Sequence, residues 1–348
     1  MIWLTWRQFR VPSITAAAAL AVFAILLAAT GPHLASLYTH SDLSGCHAGC
    51  AQLANNFLTQ LTGAYAVVYV LGIAIILLAP AVIGLFWGAP LVARELEAGT
   101  SALAWNQSIT RTRWLAVKLT LTGLAAMAVT EALSLMQTWW AAPIGRAVGY
   151  GGNTGSVAQN WSSALVFASH GITPLGYAAF AFALGVTAGT FLRRTVPAMA
   201  VTLVVFAAVQ LATPLAIRPH VLPARHTVIS IVSLRNVSLQ QGSHNGANTF
   251  KLTTAGLPGQ PRAWVLSSGA VNATGQPVST IPAACTAPAI FNGPNFFGCL
   301  GSHGIRESVT YQPGSRYWPL QWVETAAFLV IALALAGCCF WRLSRRQT

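Results

Sequence analysis

The chain has 348 residues, 55% of them hydrophobic and only 7% charged, with a mean hydropathy of +0.59; so few charges exclude an ordinary soluble globular protein. Nineteen Lys and Arg against six Asp and Glu give a net charge of +13, but the basic residues fall in short clusters between apolar runs, which suits the anionic face of a bilayer and not nucleic acid. Lysine occurs only at Lys118 and Lys251, so the chain has no GxxxxGK[ST] loop to cradle nucleotide phosphates, and any ATP has to be bound by another chain.

Met1–Arg10 interleaves Trp3, Trp6 and Phe9 with Arg7 and Arg10, the pattern of a short amphipathic helix lying on the cytoplasmic membrane surface; the alternative is a ragged start to the first span. Val11–Ala29 follows as the first apolar run long enough to span, since a hydrocarbon core of about 30 Å needs about 20 helical residues with every backbone group paired internally. The same stretch can be drawn as a signal peptide, with Arg7 and Arg10 as its basic region and Ile14–Ala29 as its apolar region. The run is long for that purpose, and cleavage would leave five spans with termini on opposite sides. Five further runs meet the spanning requirement: Ala64–Trp87, Leu115–Trp140, Ile172–Leu192, Val196–Ile217 and Trp322–Trp341. The third span, Leu115–Trp140, is the least uniform, because it contains Lys118 and Glu131.

Orientation follows from Lys and Arg in the short flanking segments. Arg7 and Arg10 precede span 1, Arg94, Arg111 and Arg113 separate spans 2 and 3, Arg193 and Arg194 separate spans 4 and 5, and Arg342, Arg345 and Arg346 follow span 6. The intervening segments hold only Arg146 between spans 3 and 4 and no Lys or Arg between spans 1 and 2. Both termini are therefore expected on the cytoplasmic side of the plasma membrane. Arg218–Leu320 carries seven Lys or Arg, but long segments translocate regardless of charge.

That segment changes composition to Gly, Pro, Ser, Thr and Asn, with β-compatible runs at Val228–Leu234, Ala263–Leu266 and Ser308–Tyr311, and reads as a small, loop-rich and β-rich external domain. The expected fold class is thus an all-α polytopic membrane protein of six transmembrane helices with that external domain. Its expected divisions are 1–10 (amphipathic), 11–217 (spans 1 to 5, with a cytoplasmic loop at 88–114), 218–320 (external) and 321–348 (span 6 and a basic tail).

Cys46, Cys50, Cys285 and Cys299 all fall in outward segments, where an oxidising compartment favours two disulfides among three possible connectivities. Short separation favours Cys46–Cys50 with Cys285–Cys299. Cys338 and Cys339 read as small apolar residues at the inner end of span 6. His40, Cys46, His47 and Cys50 could be drawn as a metal site, but the spacing is not that of a zinc finger and the location favours oxidation. The sequence has no HExxH and no GxSxG, so no hydrolytic machinery is in view. Glu131, inside span 3, costs roughly 2.5–3.5 kcal/mol on insertion scales and invites a reason. It is either a substrate-pathway or proton-relay group, or a carboxyl joining helices through Gln137 or Gln210.

Gly88–Lys118 is the most informative stretch: mixed charge at Arg94, Glu95 and Glu97, a helix-ending Gly99-Thr100, an amphipathic turn around Leu103 and Trp105, and Arg111 and Arg113 leading into span 3. A short helix parallel to the membrane fits, able to dock a soluble partner.

Arg94-Glu95-x-x-x-Gly99-Thr100, followed by Arg113-Trp114-x-x-x-Lys118, resembles the cytoplasmic loop of permease subunits of ATP-binding-cassette transporters of the type-2 exporter class. Tyr311-Gln312-Pro313 through Arg316-x-Trp318-Pro319-x-Gln321-Trp322-x-Glu324 is similar to an actinobacterial-like branch of those permeases. The resemblance implies a permease that pairs as a homodimer or with a second permease and exports its substrate. It also implies that ATP and Mg are held by a separately encoded ATPase that docks on the loop through Arg94, Glu95, Glu97, Gly99, Thr100, Trp105, Arg111 and Arg113. An alternative of a different class is a non-transporting membrane sensor or assembly scaffold whose external domain binds a ligand.

Overall fold

The computed structural model describes residues 2–46, 50–61, 63–98, 110–150, 164–231, 237–244, 247–254, 257, 260, 263–287 and 295–345. Its helices are α1 (Ile2–Thr39), α2 (Cys50–Gln60), α3 (Ala64–Ile83), α4 (Ala89–Glu97), α5 (Arg111–Trp140), α6 (Ala142–Gly149), α7 (Ala164–Ser169), α8 (Thr173–Leu192), α9 (Thr195–Ala212), α10 (Arg218–Val221), α11 (Phe296–Ser302) and α12 (Tyr317–Ser344). Six stretches are long and apolar enough to cross a membrane: Phe9–Thr39, Ala64–Glu97, Thr112–Trp140, Thr173–Leu192, Thr195–Val221 and Gly314–Arg342. The protein is a six-span α-helical membrane protein with a small β-containing domain. The amphipathic segment expected at 1–10 is not a separate element, because α1 runs unbroken from Ile2 through Pro12 and Pro32.

Hydroxyls inside these helices have no water to bond, so they donate to carbonyls one turn back. Thr122 Oγ1 donates to Lys118 O at 2.5 Å, Thr130 to Ala126 O at 3.0 Å and Thr202 to Ala198 O at 2.7 Å. Span 2 stays helical but widens to a π-turn over Gly84–Gly88 between α3 and α4, one turn beyond Pro80, whose missing N–H disrupts the regular ladder. Span 5 does the same over Thr213–Ile217 around Pro214.

Span 4 is the centre of the bundle. Of its most apolar stretch 72% is buried within the protein, against 39% or less for each other span. Apolar side chains gain little by leaving lipid for protein, so helices associate through close backbone packing at small residues. Here two glycine pairs, Gly84-x-x-x-Gly88 and Gly185-x-x-x-Gly189, face each other. A Cβ on Gly84 would lie 2.7 Å from Ala181 O, one on Gly88 2.6 Å from Phe182 O, and one on Gly189 2.5 Å from Ala89 O. One on Gly185 would overlap Gly84 O and lie 2.7 Å from Ala89 N. Every obstacle is backbone, so nothing can swing aside. On another face of α8, Gly176 brings span 6 close, with Thr325 Cα 3.1 Å from its would-be Cβ. The chain leaves α8 at Arg193, which takes the left-handed conformation with φ 57° and ties its N–H to Gly189 O at 3.0 Å. Span 5 begins two residues later.

The β-containing domain lies between spans 5 and 6. β1 (Arg225–Ser230), β4 (Trp264–Val271) and β5 (Arg306–Gln312) form an antiparallel sheet in the order β1-β5-β4. β2 (Val237–His244) and β3 (Ala247–Thr254) make a separate hairpin. Arg225 pairs with Tyr311, so the strand leaving span 5 is bonded to the strand entering span 6 and the two spans emerge side by side. Cys285–Cys299 closes the domain's core beside Phe296 and Leu300. Cys46 is joined to Cys50, the first residue of α2, and both pairs match the connectivity favoured by separation. The expected strands at Ala263–Leu266 and Ser308–Tyr311 fall in β4 and β5, and Val228–Leu234 begins in β1, its later residues lying outside the described set.

Glu307 points inward with Val309 and Tyr311 along β5 and is fully buried. Burial holds its carboxyl above the usual carboxylate range, opposed by a hydrogen bond from Ser268. A folded-state pKa raised above the unfolded value stabilises at low pH, and that stability is lost as pH rises through the folded pKa.

Two outcomes follow from this packing. Gly185→Val forces a branched side chain into fixed backbone and should cost about 3 kcal/mol or more, seen as a large drop in Tm in detergent. Gly337→Ala, whose Cβ meets nothing within 4 Å, should leave Tm unchanged or raise it. Glu307→Gln should reduce the fall in Tm expected of the wild type as pH rises through the raised pKa of this carboxyl; equal pH profiles for the two proteins would refute the assignment.

Candidate functional site

Polar chemistry gathers at the two ends of the bundle. The end bearing the sheet domain is called the domain end, and the end where α4 meets α5 the loop end.

At the loop end, Arg94, Glu95 and Glu97 lie on the last turn of α4. Lys118 of α5 forms an ion pair with Glu95, with side-chain exposures of 5% and 19%, and its Nζ sits 4.7 Å over the ring of Trp114. A charge pair this shielded holds its partners in one arrangement, because separating them strands a buried charge. Glu97 accepts from Thr195 N at 3.1 Å and from Thr195 Oγ1 at 2.8 Å, placing a carboxylate on the orphan donors and positive dipole end of α9. Glu95 and Glu97 are thus engaged with spans 3 and 5, Glu95 half-buried and Glu97 still exposed. Arg94 and Arg113 are exposed, and the Thr110 hydroxyl caps α5 by accepting from Arg113 N at 3.4 Å. Gly99, Thr100 and Trp105 lie outside the described residues, as does the side chain of Arg111.

Within span 3, Glu131 is half-buried and its Oε2 has no hydrogen-bond partner. The helix-joining arrangement through Gln137 or Gln210 is not the one adopted. Gln137 Nε2 reaches Tyr69 O at 3.5 Å on span 2, and Gln210 Oε1 is buried without a partner.

At the domain end, spans 4, 5 and 6 are joined by a buried polar network. Arg218, fully buried at the end of span 5, donates Nε to Glu324 Oε2 at 2.9 Å and Nη2 to Glu324 Oε1 at 3.0 Å. The two-point geometry suits the planar guanidinium. Tyr177 of α8 donates its hydroxyl to Glu324 Oε1 and accepts from Arg218 Nη2 at 3.3 Å. The guanidinium lies 4.1 Å over the ring of Phe167. One turn away, Gln321 Oε1 accepts from Ile172 N at 3.0 Å, Thr173 N at 3.0 Å and Thr173 Oγ1 at 2.6 Å, while its Nε2 donates to Phe167 O and His170 O. Gln321 therefore caps α8 from span 6. Gly171, with φ 69°, admits it, since a Cβ there would lie 2.8 Å from Gln321 Oε1.

Arg218, Tyr177 and Phe167 were not singled out in the sequence. The legible signal was a lone charge at the end of each of two adjacent apolar runs, Arg218 closing span 5 and Glu324 opening span 6. Gln321 and Glu324 also stand in the motif that carries the second resemblance, and the network supplies their role.

Neither cysteine pair can act as thiolate ligands, because each is joined in a disulfide. His303 approaches the second pair, and its Nδ1 lies 2.9 Å from Cys299 O. Of the first cluster, His40 Nδ1 is bonded to Ser36 O at 2.7 Å, and His47 is outside the described residues.

Removing one partner of a buried ion pair costs about 3–5 kcal/mol, whereas replacing both by apolar groups of similar volume is often neutral. Arg218→Met and Glu324→Leu should each lower Tm sharply in detergent, and the double variant should recover most of the loss. Additive losses in the double variant would show that the two residues act independently.

No curated protein and no solved structure matches the chain. A family model described as ABC-2 membrane transporter related matches residues 17–218, a stretch that contains the facing glycine pairs and the whole loop end and stops at Arg218. The match covers more than half of the chain, so this multi-pass membrane protein is a transport permease and belongs to the ABC-2 membrane transporter related family.

Proposed function

We propose that the chain is the membrane-spanning half of an ATP-driven exporter, working as a pair of permeases with a separately encoded ATPase that supplies ATP and Mg. Both termini and the loop end face the cytoplasm, and the sheet domain faces outward, in line with the Lys and Arg distribution.

The observation that carries this reading is the way α4 is tied to the bundle. It packs against α8 through Gly88 and Gly189, is paired to span 3 by Glu95 and Lys118, and holds the start of span 5 through Glu97. An ATPase pushing on the segment between α4 and α5 would therefore move spans 2, 3, 4 and 5 together. Arg94 and Arg113 supply exposed guanidiniums for the contact, the kind of group on which interfaces concentrate their binding energy. Glu95 and Glu97 act behind them as positioning residues. A non-transporting scaffold has no need of such a linkage.

The test separates docking from coupling. Arg94→Glu with Arg113→Glu should leave the protein folded in the membrane and reduce copurification of its native ATPase at least tenfold. Glu95→Gln should keep the ATPase bound but lower substrate export per ATP hydrolysed in proteoliposomes. Failure of the wild type to bring down any ATPase from mild detergent would sink the proposal, and so would wild-type binding and coupling in all of these variants.

A further inference from the structure

At the domain end, outside the buried network, a cavity of about 710 Å³ opens between the bundle and the sheet domain. Its walls come from separate parts of the chain: Arg146 and Tyr150 at the end of α6, Arg225 at the start of β1, Gln260, and the turn Pro313–Ser315. Arg146 follows span 3 by a few residues, Arg225 follows span 5, and the turn opens span 6. Odd spans end and even spans begin on one side of a bilayer, so these walls meet at a single membrane surface, whichever side that is.

The charge of the walls is one-sided. Two guanidiniums line the cavity, and no carboxylate is found among its described lining residues. The chain has six acids in all. Glu324 is bonded to Arg218, Glu95 to Lys118 and Glu97 to Thr195. Glu307 is in the sheet core, Glu131 is inside span 3, and Asp42 in the turn after α1 makes no ion pair among the described residues. Nothing in the described structure neutralises Arg146 or Arg225.

The two arginines are also held ready. The Arg146 guanidinium stacks 4.8 Å from the ring centroid of buried Tyr38, and its Nε leans toward Ala142 O at 3.4 Å, leaving Nη1 and Nη2 without a partner among the described residues. Arg225 is fixed at the backbone by its pairing with Tyr311, and its exposed side chain makes no hydrogen bond among the described residues. The neighbouring Arg316 is spent on structure: it donates to Gln312 Oε1 at 2.7 Å and to Pro223 O, tying the rim of the cavity together. Gln260 Nε2 donates to the Tyr311 hydroxyl at 3.3 Å, leaving its amide oxygen to accept.

From this geometry we infer that the cavity binds a phosphate-bearing anion the size of a glycerophosphate headgroup, with Arg146 and Arg225 on the phosphate and Gln260 on a hydroxyl. Guanidinium forks match phosphate oxygens in two-point contacts. A bare inorganic ion would leave most of the volume empty, whereas pockets of about 300–1,000 Å³ suit small organic ligands. Basic pockets at a membrane surface are where lipid headgroups dock. The inference concerns binding at the domain end and does not depend on coupling to ATP.

The experiment titrates the detergent-purified full chain with three probes: dioctanoyl-phosphatidylglycerol, dioctanoylglycerol with the same tails and no phosphate, and inorganic phosphate. Binding of the first should weaken at least tenfold in Arg146→Gln with Arg225→Gln and be largely kept in the corresponding Lys pair. Arg306→Gln, an exposed arginine at the far end of β5, should change nothing. Dioctanoylglycerol should bind no differently to wild type and variants. Tight phosphatidylglycerol binding identifies a lipid headgroup as the source. Inorganic phosphate binding as tightly, with the same dependence on the two arginines, supports the site and identifies a free anion. Should the double variant melt early, Arg225→Gln alone repeats the test, with a several-fold loss expected. Equal affinities of wild type and variants for both phosphate probes would overturn the inference, as would equal binding of the phosphate-free lipid.

Discussion

The backbone contact between spans 2 and 4 is the constraint on which the rest of the bundle depends. In lipid the apolar surface of one helix gains little by meeting another, so the bundle is held where backbones can touch and where polar groups can bond. Gly84 and Gly88 on one side, and Gly185 and Gly189 on the other, remove the side chains that would keep the helices apart. With span 2 fixed there, α4 is delivered to the loop end in contact with α8 and α9. Span 4 becomes the post around which the remaining helices gather.

Charges then finish what the glycines begin. An acid in an apolar helix is expensive unless it meets a partner, and the described structure spends its few acids at joints. Glu95 and Glu97 fasten α4 to spans 3 and 5 at one end. Glu324 fastens spans 4, 5 and 6 at the other through Tyr177 and Arg218. The two fastenings share span 5 and lie at its opposite ends, Thr195 at one and Arg218 at the other. A helix that carries a polar joint at each end can pass a displacement from one membrane surface to the other, provided the joints are discrete and the helix between them stiff. Among the acids of the spanning helices Glu131 is the exception, with a carboxyl oxygen facing no described partner inside span 3.

The sheet domain is a continuation of this frame. Its β1 and β5 strands extend spans 5 and 6 and are bonded to each other, so the domain is fixed to the network at its base. The family match ends at Arg218, the residue that closes the network and begins the domain. The transport bundle and the appended sheet therefore meet at one buried guanidinium, and the basic cavity opens beside that junction.

Much of this was legible in the sequence. Composition and apolar run length determined six spans, because satisfying a helical backbone in hydrocarbon depends on local sequence alone. The span positions, the change of character after Arg218 and the short-range cysteine pairs followed from the same local rules. The functional class came from a resemblance carried by the loop motif, with the charged residues of α4 as its visible part. The facing Gly-x-x-x-Gly pairs were also in plain sight, as GLFWG and GVTAG, but spacing alone does not say which helix meets which. The partners of the charges were decided only in three dimensions. Glu95 and Lys118 are 23 positions apart, Glu97 and Thr195 are 98, and Arg218 and Glu324 are 106. A charge in an apolar run announces that it needs a partner. Which residue answers depends on helix rotation and depth, set by backbone packing, and no local pattern encodes them.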